Sequence, residues 1–297
     1  MKTKSQPASG RIQIAVEEGS TLLPFLFAYF SGRSRTTVKS YLAHRQVAVN
    51  GCITTQFDTP LVPGDRVEVD LGRVREGISH PKLRIVYEDD DLIVVEKRNG
   101  LLSVATDKQI MQTAYSILSE HVKQDDPRNK IFVLHRLDRE TSGLMMFAKS
   151  EEVKTRVQSS WTETVVERKY YAVVEGRVEQ AEGVISTYLT ESKAMKVYVT
   201  NREEGKKADT AFRVLKYSAR NDVTLLELEL ETGRKNQIRA HMEYIGHPIV
   251  GDKKYGSRRA LIGRVALHAG VLSFIHPTTG KRHDFSTPVP RKFSELF

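Results

Sequence analysis

A single cysteine, Cys52, in 297 residues excludes an internal disulfide and any metal site built from several cysteines. A reducing cytoplasm is the compartment that fits. Long apolar runs are also missing. The longest candidate, L-L-P-F-L-F-A-Y-F at 22–30, falls well short of the roughly 18 residues a membrane-spanning helix needs. The opening M-K-T-K-S-Q-P-A-S-G has a basic flank but no apolar centre, so it is not a secretory signal; residues 1–10 are expected to be a disordered lead. No internal repeat and no low-complexity tract interrupts the chain.

Several nucleotide and metal motifs are lacking as well. There is no G-x-G-x-x-G after a strand, no G-x-x-x-x-G-K-[ST] and no H-E-x-x-H. A zinc nucleobase deaminase would need more cysteine ligands, and no nucleophile elbow is present to seat a serine or cysteine triad. Asp89, Asp90 and Asp91 are consecutive, whereas cation ligands are spaced and converge, so they read as a solvated hairpin tip. What remains is a carboxylate working without a metal or cofactor.

What is present is ordinary globular composition, 39% hydrophobic and 28% charged, with a net charge of +9. The excess is local. Residues 231–297 carry 12 Lys and Arg against 5 Asp and Glu, and a smaller cluster, Arg33, Arg35, Lys39 and Arg45, lies near the start. Two basic zones around a near-neutral body suit a polyanion laid across both, with nucleic acid favoured over a solvated basic surface that only keeps the protein soluble.

Patterning divides the chain into a small unit at 11–72, a polar linker at 73–84 and a larger domain at 85–297. In the first, Thr21 to Phe30 has helical apolar spacing, and Ser34 can cap a second helix over 35–45 whose face is Val38, Tyr41 and Leu42. V-A-V-N-G-C-I reads as a hairpin turning at Asn-Gly, and P-G-D-R-V-E-V-D as a turn into an alternating strand. In the second, strands flank the acidic triplet, helices are predicted over 107–122, after Ser150, and over 237–244, and strands recur between them. This strand-rich mixture predicts an α+β fold.

H-R-L-D-R-E-T-S-G, residues 135–143, follows the apolar run I-F-V-L. If that strand continues, Arg136 and Asp138 share a face. A neighbouring guanidinium favours the charged carboxylate, making Asp138 a poor general acid and a competent nucleophile or electrostatic stabiliser. An Arg–Asp pair that merely pins a hairpin is the plain alternative.

The full string decides between them by resemblance. H-R-L-D-R-E-T-S-G is similar to the H-R-L-D-x-x-T-S-G motif of the RluA-type ribosomal RNA pseudouridine synthases. Y-E-D-D-D-L-I-V-V-E-K-R-N-G-L-L, E-R-K-Y-Y-A-V-V-E-G, T-G-R-K-N-Q-I-R-A-H, G-H-P-I-V-G-D and A-L-H-A-G-V-L-S-F-I-H-P resemble its further motifs in order, with Arg98 and Asn236 as departures. The small unit resembles a ribosomal-protein-S-four-like domain, which implies RNA contacts from Arg33, Arg35, Lys39 and Arg45. The family resemblance implies a pseudouridine synthase fold: a mixed, largely antiparallel sheet with flanking helices and a central cleft. It implies isomerisation of uridine in RNA without cofactor or metal, in ribosomal RNA by preference and transfer RNA as the other candidate. Asp138 would be the essential aspartate, attacking the ribose or the uracil ring. Arg136 would fill the space of the flipped base, Tyr170 would offer its ring to the uracil, and Arg239 would pair with Asp138. Tyr171, facing the other way, is expected to fill the core, and Arg139 to lie outside the site. A cytoplasmic monomer without membrane attachment is expected.

Overall fold

A computed structural model of the chain describes residues 11–33, 35–43, 46–71, 80–105 and 112–297. The first unit holds β1 (Arg11–Ala15), the two-residue β2 (Ser20–Thr21), α1 (Leu22–Tyr29), α2 (Arg35–Ala43), β3 (Val47–Val49), β4 (Cys52–Ile53), β5 (Pro60–Leu61) and β6 (Arg66–Asp70). Its sheet runs β1-β6-β3-β4. The Asn-Gly turn forms as expected, with φ of 52° at Asn50 and 81° at Gly51, the pair of positive φ angles that a two-residue hairpin requires. Val38, Tyr41 and Leu42 close the α2 side of a core that includes Leu22, Leu26, Val47, Val67 and Val69. The expected cap Ser34 and most of the expected linker lie outside the described residues.

The second unit begins with β7 (Leu83–Glu88), two residues earlier than the pattern suggests, and β8 (Leu92–Lys97). It continues with α3 (Ala114–Lys123), β9 (Phe132–Val133), β10 (Ser142–Ala148), α4 (Glu151–Ser159), α5 (Trp161–Thr164), β11 (Val165–Glu175), β12 (Glu182–Glu191) and β13 (Val197–Thr200). Then follow β14 (Lys206–Ser218), β15 (Val223–Leu230), α6 (Gln237–Tyr244), a 3-10 turn at Lys253–Tyr255, β16 (Leu267–Ile275), β17 (Arg282–Ser286) and α7 (Arg291–Ser294). The strands form one mixed sheet in the order β13-β12-β14-β15-β11-β16-β10-β8-β7, with β17 on β16 and β9 on β10. Every pairing is antiparallel except the short parallel join of β10 to β16. The α+β expectation holds.

Alternation splits the β8–β10 region between two cores. Ile93, Val95, Met145 and Phe147 face one side, against Ile117, Leu118 and Val122 of α3. Leu92, Val94, Leu144 and Met146 face the other, against Val153 and Val157 of α4. A strand buried on both faces reads as a continuous apolar run, as L-M-M-F-A does. Ser150 caps α4, accepting a hydrogen bond from the Val153 amide at 3.1 Å.

Four expectations need correction. Of the helix predicted over 107–122, residues 107–111 lie outside the described residues, and the described helix starts at Ala114, because Thr113 is extended and caps it in a reciprocal box with Ser116. The strand entering the H-R-L-D motif stops at Val133, so Arg136 and Asp138 sit on a loop and strand alternation does not govern them. The acidic turn is built rather than merely solvated. Asp89 Oδ1 accepts from the Asp91 and Leu92 amides (2.9 and 2.7 Å), its Oδ2 takes His276 Nε2 (2.8 Å), and Asp90 accepts from Thr37 Oγ1 (2.6 Å). Tyr171 is half-buried over Gly270 on the far face of β11, while Tyr170 is the buried member of the pair. The hairpin β12–β13 had no expectation attached to it.

Candidate active site

The motif loop has no regular hydrogen-bond ladder, so other groups fix its backbone. Lys97, at the end of β8, shares the inward parity of Ile93 and Val95 and is fully buried. Its ammonium donates to the carbonyls of Thr141 (2.6 Å), Leu101 (2.9 Å) and Asp138 (3.2 Å). Burial pushes its pKa down to about 7, and the charge of Asp138 opposes this. Ser103 Oγ donates to the Leu137 carbonyl (2.7 Å) and accepts from the Leu137 amide (3.2 Å). His135 Nε2 accepts from the Met146 amide (3.1 Å), and burial, then Arg168, depresses its pKa to about 3 and keeps it neutral. Thr141 closes the turn with its amide on the Asp138 carbonyl (3.1 Å).

At the end of this loop Gly143 joins β10 to β16, with φ of 118°. A Cβ there would lie 2.1 Å from the Ala269 carbonyl oxygen, so only glycine permits the parallel join. Ser142 beside it exchanges a 2.8 Å hydrogen bond with His268 Nδ1 and accepts one from Arg264 Nη2 at 2.6 Å.

The Asp138 carboxylate projects into a cavity of about 390 Å³, whose wall also includes Arg136, Trp161, Arg168, Tyr170 and Arg239. Among the described residues it is the only carboxylate lining that cavity. Its partner is Arg239 on α6, with Nη1 at 3.4 Å from Oδ2. Arg239 is itself held from beneath by Asp252, through Nε to Oδ2 (2.6 Å) and Nη2 to Oδ1 (2.8 Å). Its guanidinium lies 4.6 Å from the centre of the buried Tyr255 ring, and Nη1 also donates to Asn236 Oδ1 at 3.2 Å. Burial works against this charge, but Asp252 and then Asp138 more than offset it and hold the guanidinium protonated. Tyr170, on β11 opposite Leu228 and Ala269, is 8% exposed. Burial pushes its hydroxyl pKa up, with Arg168 opposing and Asp138 adding, so the phenol stays neutral.

The structure therefore brings Asp138, Arg136, Tyr170 and Arg239 to one cavity. Arg136 is exposed at its edge and makes no hydrogen bond to Asp138 among the described residues, so the local Arg–Asp pairing is replaced by the distant one. Arg139 is outside the cavity. Of the N-terminal basic residues, Arg35 and Lys39 are exposed one turn apart on α2. Arg33 is engaged with its own unit, stacked on Phe30 and Tyr41 at 5.5 and 5.7 Å and donating to the Tyr41 hydroxyl. Arg45 lies outside the described residues. Sequence reasoning missed Asp252, Lys97 and Ser103. The usable signals were the aspartate closing G-H-P-I-V-G-D, and a lysine on the inward parity of an apolar strand.

Residues 91–244 match the model of the RNA pseudouridylate synthase family. Over 279 residues the chain is 36% identical to the Bacillus subtilis protein named uncharacterized RNA pseudouridine synthase YlyB, covering 92% of this chain and 91% of that one. It is 33% identical over 284 residues to ribosomal large subunit pseudouridine synthase D of Vibrio cholerae, covering 90% and 87%. Among solved structures, human RNA pseudouridylate synthase domain containing 4 superposes with a TM-score of 0.58 at 23% identity, over 71% of this chain and 90% of that one, and so shares the fold. Human RNA pseudouridylate synthase domain containing 1 gives 0.55 at 26% identity, over 69% and 83%. A family match over more than half of the chain, joined to relatives aligned along about nine-tenths of it, means that the chain belongs to the RluA-type RNA pseudouridylate synthases and is an RNA pseudouridine synthase, an isomerase.

Proposed function

We propose that the enzyme isomerises uridines of large-subunit ribosomal RNA, with Asp138 as the nucleophile. The supporting observation is that one carboxylate enters the cavity and a buried arginine, itself held by a second aspartate, faces it. The paired-carboxylate chemistry of glycoside hydrolysis would need a second acid in the same cavity. In the proposed reaction the target uridine leaves its stack and enters the cavity, and Arg136 at the edge fills the space it vacates. The bond from uracil nitrogen 1 to the ribose breaks, the ring turns, carbon 5 bonds to the anomeric carbon, and the proton on carbon 5 departs. Asp138 serves by adding to the anomeric carbon or to the uracil ring, and its bond breaks again before product leaves. Nitrogen 1 takes up a proton in place of its bond to the ribose, and both routes use the same ionised carboxylate. Tyr170 supplies a ring face and a neutral hydroxyl beside it, and closure of the walls keeps water from a free intermediate. Ribosomal RNA is the preferred substrate because a relative aligned over 90% of this chain is named for the ribosomal large subunit. The N-terminal unit, with Arg35 and Lys39 exposed on α2, supplies a second RNA-contacting surface.

The test is release of tritium from uracil carbon 5 in labelled ribosomal and transfer RNA. Wild type is expected to release tritium from large-subunit RNA. Asp138→Asn should reduce the rate by at least about 10³-fold while RNA binding persists. Absence of release by wild type from any of these RNAs sinks the proposal. Free uracil as product would mark a hydrolase. Pseudouridine mapping in a deletion strain identifies the position.

A further inference from the structure

The cations around the cavity are of two kinds. Arg239 is matched to Asp252 and Asp138, and Lys235 is paired with Glu191. Arg136, Arg168 and Arg234 line the same cavity and have no carboxylate partner among the described residues. Of these three, Arg168 differs in being built into the wall. It stands on β11 two residues before Tyr170, its guanidinium is 5.6 Å from the centre of the Trp161 ring, and Nη2 donates to the Leu230 carbonyl at 3.1 Å. Nη1 lies against the α-carbon of Gly233, where a Cβ would come within 3.0 Å. The remaining N–H donors are uncommitted among the described residues. Burial disfavours its charge, the neighbouring Tyr170 opposes this, and no carboxylate is paired with it among the described residues.

Position along the strand says which part of a nucleotide meets it. Uracil reaching Asp138 lies against Tyr170. Arg168 is on the same face, two residues nearer the exposed 231–235 loop, which is about 7 Å of strand. That offset is comparable to the span from a pyrimidine to its own phosphate. We propose that Arg168, backed by Trp161, binds the phosphodiester of the uridine extruded into the cavity, with Arg234 meeting a neighbouring phosphate. This rests on the reading of the cavity as the uridine site and adds the group that positions the nucleotide's backbone.

The experiment is steady-state tritium release at a series of salt concentrations, using the transcript that the wild-type enzyme turns over. Arg168→Gln is expected to raise KM about tenfold, and the slope of log KM against log salt should become shallower by about 0.7–0.9, one phosphate contact. Arg168→Lys, which keeps the charge, should keep the slope. Gly233→Val crowds Nη1 from the facing loop while leaving the sequence of β11 unchanged and should reproduce the shallower slope, which keeps the test available if Arg168→Gln does not fold. A wild-type slope in Arg168→Gln or, where that protein is unfolded, in Gly233→Val overturns the phosphate assignment. A fall in kcat with the slope unchanged overturns it too, in favour of contact with the base. Wild-type protein that turns over no transcript overturns the reading of the cavity itself, a separable failure.

Discussion

Arg239 divides its hydrogen bonds unequally between two aspartates. Its fork lies on Asp252 at 2.6 and 2.8 Å, and only one nitrogen reaches Asp138, at 3.4 Å. The tight bidentate pair sets the orientation of the guanidinium, and the looser contact leaves the Asp138 carboxylate available for the proposed attack. Asp252→Asn should break this division, because a buried arginine deprived of its counter-charge turns toward Asp138. The single-turnover rate is expected to fall about 10²-fold, and stability by about 3 kcal/mol in urea unfolding. An Asp252→Asn enzyme as fast as wild type would remove Asp252 from this account. None of this could be seen in the local charges of the motif. Those charges favour Arg136 as the partner of Asp138, and Arg239 came forward only through resemblance to a family motif. Asp252 was quoted in a motif without a role, since nothing in one dimension shows which of several acids lies beneath an arginine.

At the scale of elements, the site is an irregular loop fastened at both ends to regular ones. Lys97 and Ser103 hold its backbone from β8 and the following segment, and His135 of the loop itself ties it to the Met146 amide of β10. Gly143 allows β10 to come against β16 immediately after the loop. Gly143→Ala should therefore destabilise the protein by about 3 kcal/mol or more, read as a lower urea midpoint, with loss of tritium release in the fraction that still folds. A variant of wild-type stability would show that the join yields. Elements with strong local signals were legible: the Asn-Gly hairpin, α4 after its serine cap, and α6 over 237–244. The start of α3 and the end of β9 were not, because apolar spacing continues past the point where Thr113 turns extended and past the point where the ladder runs out. The β12–β13 hairpin escaped notice because half-exposed strands on a sheet edge carry little apolar contrast.

For the whole molecule, the sheet order does what no local pattern encodes: it brings Asp138 and Arg239, 101 residues apart, into one cavity. The same packing buries several histidines outside the proposed chemistry, and two of them have strongly depressed pKa values. His241 lies between Thr187 and Thr210, and His268 between Ser142 and Thr287. Burial depresses the pKa of each from 6.5 to about 4. The unfolded chain then binds more protons than the folded one between those values, so stability rises with pH there. This contribution is fully present above pH 6.5 and is lost as pH falls through about 4. Urea midpoints should drop on acidification through that window, and His241→Gln should flatten the drop. An unchanged pH profile in that variant would contradict the assignment.

Trp161, the only tryptophan in the chain, stands in the wall of this same cavity, 5.6 Å from the Arg168 guanidinium and 5.6 Å from the His135 ring. The intrinsic indole emission of the protein therefore originates at one wall of the cavity proposed to receive the uridine. Unlabelled enzyme thus carries its own optical gauge of occupancy, and arrival of a nucleotide can be timed separately from the chemistry that follows.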